Sequence, residues 1–67
     1  ADAIDTARAA ARLAPDDARV WADLAVALDH AGDPVGALDA AERAAALSPG
    51  DAGIRGLVDD LRAGRTP

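Results

Sequence analysis

The side chains of this protein that could do chemistry are concentrated around its only histidine. His30 directly follows Asp29 and lies three positions before Asp33. Imidazole and carboxylate groups at such short spacing can form part of an acid–base pair or of a metal site. The same stretch contains Gly32 and Pro34, which are typical of a connection between two helices. Which of the two interpretations holds depends on the helices and connections in which these residues lie.

Composition excludes several kinds of active site. The 67 residues include no cysteine and no tyrosine, and the single serine, Ser48, lies beside a proline. Thiol nucleophiles and thiolate metal sites are therefore excluded, and the sequence contains no glycine-rich phosphate loop. The carboxylate pairs 16–17 and 59–60 are explained as helix caps or solvated helix faces. We expect a protein that is not an enzyme and that binds neither a cofactor nor a metal.

Charge and hydropathy restrict the partners. Eleven Asp and one Glu stand against seven Arg, giving a net charge of -5, which repels a phosphate backbone and argues against nucleic-acid binding. The arginines are spread along the chain, and we expect no anion-binding patch. No apolar run approaches the roughly 20 residues of a membrane span, and no signal-peptide pattern opens the chain, so we expect a cytoplasmic protein without membrane association. The Ala, Arg, Asp and Gly bias is typical of a GC-rich bacterial gene.

The chain resembles itself when it is shifted by 34 residues. Ten positions then match in one register. The matched pairs are Ala3 with Ala37, Ile4 with Leu38, Asp5 with Asp39, Ala7 with Ala41, Ala10 with Ala44, Leu13 with Leu47, Pro15 with Pro49, Asp17 with Asp51, Ala18 with Ala52 and Val20 with Ile54. A period of this length is typical of stacked supersecondary units.

Helical periodicity and breakers predict an all-α fold of four antiparallel helices. Their ranges are about 2–13, 17–31, 34–47 and 52–63, with connections of three or four residues. Asp16, Asp33 and Asp51 are the predicted N-caps, and Pro34 takes a first helical position. Gly32 ends the second helix because it can adopt left-handed geometry. The stretch around His30 is thus predicted to be a helix stop followed by a helix start.

Apolar residues at helical spacing predict the packed face of each helix. The predicted inward residues are Ile4, Ala7, Ala10 and Ala11 in the first helix; Val20, Trp21, Leu24, Ala25 and Leu28 in the second; Ala37, Leu38, Ala41, Ala44, Ala45 and Leu47 in the third; and Ile54, Leu57, Val58 and Leu61 in the fourth. Asp39 and Arg43 lie four apart, in the favourable order for an ion pair. We expect Ala25 to meet Ala37 and Ala44 where the second and third helices come closest.

Residues 18–51 resemble one tetratricopeptide repeat. The residues that carry the resemblance are Trp21, Leu24, Ala25, Leu28, Ala37, Ala41, Ala44 and Pro49. The resemblance implies that 2–17 is the second helix of a preceding repeat, that 52–63 is a capping helix and that 64–67 is a flexible tail. Departures from the family pattern are Ala25 in place of glycine, and Leu28 and Ala41 in place of aromatic residues.

The resemblance also implies a function. Proteins of this family bind a peptide or helix of a partner protein along a groove lined by the first helix of each repeat. The corresponding positions here are Arg19, Ala22, Asp23, Val26, His30, Gly53, Leu57 and Asp60. Arg19 is the only basic residue among them apart from His30, so a clamp for acidic chaperone tails is disfavoured and a mixed apolar or basic segment fits better. The alternative is that these are ordinary solvated positions and that any binding groove lies in repeats upstream of this segment.

The two ends of the predicted fold differ. In the fourth helix Arg55, Asp59 and Arg62 replace the core residues of the repeat. This replacement is expected for a terminal helix that has one solvent-exposed face. In the first helix Ile4, Ala7 and Ala11 would be partly exposed, so either upstream repeats or a second copy would cover them. The alternative function is therefore a structural or oligomerisation module excised from a larger multidomain protein, with an enzyme among the candidate parents.

Overall fold

The fold consists of four α-helices in a computed structural model that describes residues 3–64. In chain order these are α1 (Ala3–Leu13), α2 (Ala18–His30), α3 (Pro34–Leu47) and α4 (Ala52–Arg62). Within the described range this confirms the predicted all-α class, with helix ends that differ from the prediction by at most one residue. Asp2 and residues 65–67 of the predicted flexible tail lie outside the described residues.

Short connections determine how the helices pack. Residues 14–17, 31–33 and 48–51 join consecutive helices, so each helix reverses the direction of the one before it. The close packing is between chain neighbours, and α2 against α3 is the most extensive interface. Because α3 packs on both α2 and α4 while those two do not pack extensively on each other, open surfaces remain between next-nearest helices.

The connection from α2 to α3 is closed by backbone hydrogen bonds. Gly32 has φ 86°. The Gly32 N–H donates to the Asp29 carbonyl at 3.1 Å, and the Asp33 N–H donates to the Leu28 carbonyl at 2.9 Å. This is the Schellman arrangement, which satisfies the last carbonyls of a helix. Asp33 then caps α3 by accepting from the Gly36 N–H at 2.9 Å, and Pro34 takes the first helical position, as predicted.

The N-cap of α2 is Asp17, and the prediction of Asp16 is wrong. Asp17 has extended backbone geometry (φ -95°, ψ 107°) and accepts from the Arg19 N–H at 3.0 Å. Asp16 lies within the preceding turn, one residue too early to reach the first free N–H groups of the helix. Asp51, the residue 34 positions after Asp17, caps α4 by accepting from the Ile54 N–H at 3.1 Å. The internal repeat therefore extends to the capping residues.

The core combines small side chains between α2 and α3 with larger ones from α4. Ala25, Ala37, Ala41 and Ala44 are fully buried, with 0% of their surface exposed. Alanines at these positions allow close approach of the two helix axes, and a larger side chain there would cost typically about 1–3 kcal/mol. All four predicted inward residues of α4 are buried.

Two predictions about burial were wrong, and one buried residue was not predicted. Leu47 was expected to face inward but is 42% exposed at the last position of α3. Ala11 was expected to be partly exposed but is only 3% exposed, since it faces the core built by α2 and α3. Ala40, which was not predicted, is also 3% exposed.

The predicted ion pair between Asp39 and Arg43 does not form. The guanidinium carbon of Arg43 instead lies 5.0 Å from the centroid of the Trp21 ring. A planar guanidinium over an indole face is stabilised by the ring quadrupole, and in an exposed setting this contact is worth about 0.5–1 kcal/mol. Such a contact competes with a solvated i,i+4 pair that contributes only about 0.3–0.5 kcal/mol.

Candidate partner-binding surfaces

Three open surfaces surround α2, and each is formed with different neighbours. The first, here called the α2–α4 furrow, has a volume of about 380 Å³. Its lining comprises Ala18, Arg19, Ala22, Ser48, Asp51, Gly53, Ile54 and Leu57. Ile54 and Leu57 are 7% and 9% exposed, so they form an apolar floor rather than projecting side chains. Arg19 is exposed on the wall of the furrow and is the only basic residue in it.

The second surface, the α1–α2 face, is mainly apolar. It has a volume of about 530 Å³ and is lined by Ala3, Thr6, Ala7, Ala10, Val20, Asp23 and Ala27. Four of these seven residues are alanines, so the face is shaped by backbone and methyl groups. Such a face permits close approach of another helix.

The third surface, the arginine groove, is the largest of the three at about 730 Å³. Residues of α1, α2 and α3 and Pro15 line it: Arg8, Ala11, Arg12, Pro15, Trp21, Leu24, Leu28, Gly36, Asp39, Ala40 and Arg43. Three arginines that are spread along the chain therefore line one groove, which the expectation of no anion-binding patch did not foresee. Arg8 and Arg12 are one helical turn apart, which the sequence shows, but only the tertiary fold brings Arg43 to the same groove.

The structure brings together some of the predicted groove residues and separates others. Arg19, Ala22, Gly53 and Leu57 line the α2–α4 furrow, whereas Asp23 lies on the α1–α2 face. The remaining three line none of the three surfaces. Val26 is half-buried against the core, Asp60 is half-buried, and His30 is exposed at the last position of α2.

The residues around His30 are engaged in ending one helix and starting the next. The Asp33 carboxylate is occupied as the cap of α3. The Asp29 side chain is half-buried, and its Oδ2 atom is buried without a hydrogen-bond partner. Within residues 3–64, no group of three or more His, Cys, Asp or Glu side chains is arranged to hold a metal ion. His30 itself lies where a cation complements the partial negative charge of a helix C-terminus.

Trp21 is half-buried and links three parts of the molecule. Its ring packs against the core, its Nε1–H donates to the Pro15 carbonyl at 2.8 Å, and Arg43 covers one face. The indole therefore stabilises the connection between α1 and α2, and it also forms one wall of the arginine groove. Sequence periodicity predicted the packing of Trp21 but not the hydrogen bond, which depends on the path of the connection.

Charge pairing within the described helices is sparse. The ion pair found among residues 3–64 joins Arg62 to Glu42, with Nη2 and Oε2 2.8 Å apart and both side chains largely exposed. The guanidinium groups of Arg8, Arg12 and Arg43 have no described carboxylate within ion-pair distance. All helices in this part of the chain are too short or too polar to cross a bilayer.

Comparison of the chain with protein-family models, with curated proteins and with solved structures finds no match.

Proposed function

We propose that the protein is a non-catalytic protein-interaction module of the tetratricopeptide-repeat type, which docks a segment of a partner protein in the α2–α4 furrow. The observation that supports this most directly is the packing of α3 against both α2 and α4, which leaves the space between those two helices open. The furrow has an apolar floor and a polar rim, the composition that peptide-binding grooves require.

The lining of the furrow favours a partner segment of mixed character. Ile54 and Leu57 can cover an apolar side chain, while Arg19 can pair with one carboxylate or carbonyl. The Asp51 carboxylate is already occupied by the cap of α4. A run of several acidic residues would meet one guanidinium only, so this furrow does not suit an acidic chaperone tail.

Peptide selection with a matched pair of variants tests the proposal. A random twelve-residue library is panned against the full chain, and the dissociation constants of selected peptides are measured by fluorescence anisotropy. Ala22→Arg places a long side chain in the furrow, whereas Ala9→Arg makes the same change at an exposed alanine of α1 outside the three surfaces. Far-UV circular dichroism confirms that both variants remain helical.

The expected result is a loss of affinity of at least about tenfold in Ala22→Arg and less than about twofold in Ala9→Arg. Amide chemical shifts should change along α2 and α4 when a selected peptide is added. The proposal fails if no peptide is selected, or if both variants bind the selected peptides as tightly as the parent chain.

A second candidate function is self-association, which is supported by the α1–α2 face. Its alanine-rich lining offers helix contact without charged groups apart from Asp23. Sedimentation velocity across a range of concentrations should reveal a dimer that Ala7→Arg dissociates and Ala9→Arg leaves intact. A chain that stays monomeric at millimolar concentration would remove this candidate.

A further inference from the structure

The arginine groove concentrates positive charge in a protein that is otherwise acidic. Of the six arginines in residues 3–64, three line this groove, against one carboxylate, Asp39. The whole chain carries a net charge of -5. A local excess of positive charge on such a background is an attractive site for a short anionic segment.

The three guanidinium groups are available for binding. None of them has a described carboxylate within ion-pair distance, and Arg8 and Arg12 are exposed on α1. The guanidinium carbon of Arg43 lies over the Trp21 ring, 5.0 Å from its centroid. Within the described residues no hydrogen bond or ion pair occupies the N–H groups of Arg43, so they can donate to a carboxylate.

The floor of the groove is apolar and shaped by small residues. Ala11, Leu24, Leu28 and Ala40 are each at most 6% exposed, and Gly36 adds no side chain. A ligand lying on this floor displaces water from the arginines, which strengthens each charge pair. An extended peptide can enter such a space, and its side chains can reach the rim.

The spacing of the arginines also suits a peptide. Arg8 and Arg12 are four positions apart on α1, a rise of about 6 Å along the helix. Side chains two positions apart in an extended strand are separated by about 7 Å. Carboxylates at alternate positions can therefore face the two guanidinium groups in succession.

We propose that the arginine groove binds an acidic segment of a partner protein, with alternate carboxylates paired to Arg8 and Arg12 and a further one to Arg43. A nucleic-acid strand is disfavoured because its phosphates would continue beyond the groove lining onto acidic surface, where Asp5 and Asp16 are exposed. The site is separate from the α2–α4 furrow, so it does not depend on the function proposed for that furrow.

The only tryptophan lies in the groove, so its fluorescence reports binding directly. The probe is the acetylated and amidated peptide (Glu-Ala)₃, and (Gln-Ala)₃ serves as its uncharged counterpart. The test variant is Arg8→Gln/Arg12→Gln. Arg55→Gln/Arg62→Gln is the matched control, because it makes the same change in net charge at exposed arginines outside both the groove and the furrow.

The acidic peptide should bind the full chain saturably, and its affinity should fall as NaCl is raised. The dissociation constant should rise about tenfold or more in the test variant and less than about threefold in the control. Asp39→Asn, which removes the rim carboxylate, should tighten binding two- to threefold by the same reasoning about charge.

Three outcomes would overturn the proposal. Equal weakening in both double variants would show a general charge effect instead of a site. Equal binding of (Gln-Ala)₃ would show that the carboxylates are not recognised. Tighter, arginine-dependent binding of a twelve-nucleotide oligothymidylate would identify the groove as a nucleic-acid site. Circular dichroism of each variant confirms that its helices are intact.

Discussion

The two ends of the molecule are attached to the central α2–α3 pair in different ways. At the C-terminal end, α4 buries four branched aliphatic side chains: Ile54, Leu57, Val58 and Leu61. At the N-terminal end, α1 buries one alanine, Ala11, while Ile4 and Ala7 are only partly buried. Part of the attachment at that end comes from the hydrogen bond between Trp21 and the Pro15 carbonyl.

This difference separates two sources of stability. Burying a large aliphatic side chain contributes about 1.5–3 kcal/mol, whereas an alanine methyl contributes much less. A single hydrogen bond contributes about 0.5–1.5 kcal/mol net. The docking of α4 should therefore contribute strongly to global stability, while α1 should be the more easily detached helix. The alanine face left on α1 and α2 is the surface on which self-association is proposed.

The largest expected effect comes from shortening a core residue of α4. Leu61→Ala should lower the free energy of unfolding by about 2–5 kcal/mol, because the side chain is only 7% exposed and its removal leaves a cavity. Ile4→Ala, the corresponding change at the other end, should cost about 1 kcal/mol because Ile4 is already partly exposed. Urea denaturation followed by circular dichroism measures both values. Equal losses at the two ends would contradict the asymmetry.

A smaller effect is expected at the link between α1 and α2. Trp21→Phe keeps an aromatic ring but removes the Nε1–H donor to Pro15 and weakens the contact with Arg43. The expected loss is about 1 kcal/mol, measured by thermal unfolding. Arg55, which lies 34 positions later, makes no such link, so Arg55→Gln should change stability by less than about 0.5 kcal/mol. If Trp21→Phe is equally neutral, the hydrogen bond does not hold α1 in place.

The smallest effect should come from the ion pair between α3 and α4. Glu42 and Arg62 have side chains that are 46% and 60% exposed, so solvent screens their attraction. Glu42→Gln should cost at most about 0.5 kcal/mol, and the difference from the parent chain should vanish in about 1 M NaCl. A loss of 2 kcal/mol or more would mean that α4 is held by charge as well as by its aliphatic side chains.

Local features of this fold were predictable from the sequence. The number and order of the helices follow from apolar spacing and from the prolines at positions 15 and 49. Gly32, Asp33 and Pro34 each satisfy a backbone requirement within a few residues, so their roles do not depend on distant contacts. The α4 core stripe was also predictable, because a helix with one apolar face has one way to bury it.

Features that depend on tertiary neighbours were not predictable in the same way. Leu13 and Leu47 match in the internal repeat, yet they are 86% and 42% exposed, because an apolar match does not say whether a neighbour covers the position. The spacing of Asp39 and Arg43 predicted an ion pair, but in the folded chain Arg43 contacts the Trp21 ring. The arginine groove arises from three helices and could not be assembled from spacing along any one of them.

The turn between α2 and α3 has a consequence for how the chain folds. Its hydrogen bonds join residues no more than five positions apart, and the turn residues from Ala31 to Val35 are exposed. Closing this turn therefore needs no help from α1 or α4, and contacts between residues near in sequence form fastest. We expect the α2–α3 hairpin to be the folding nucleus, with the two outer helices adding to it afterwards in either order.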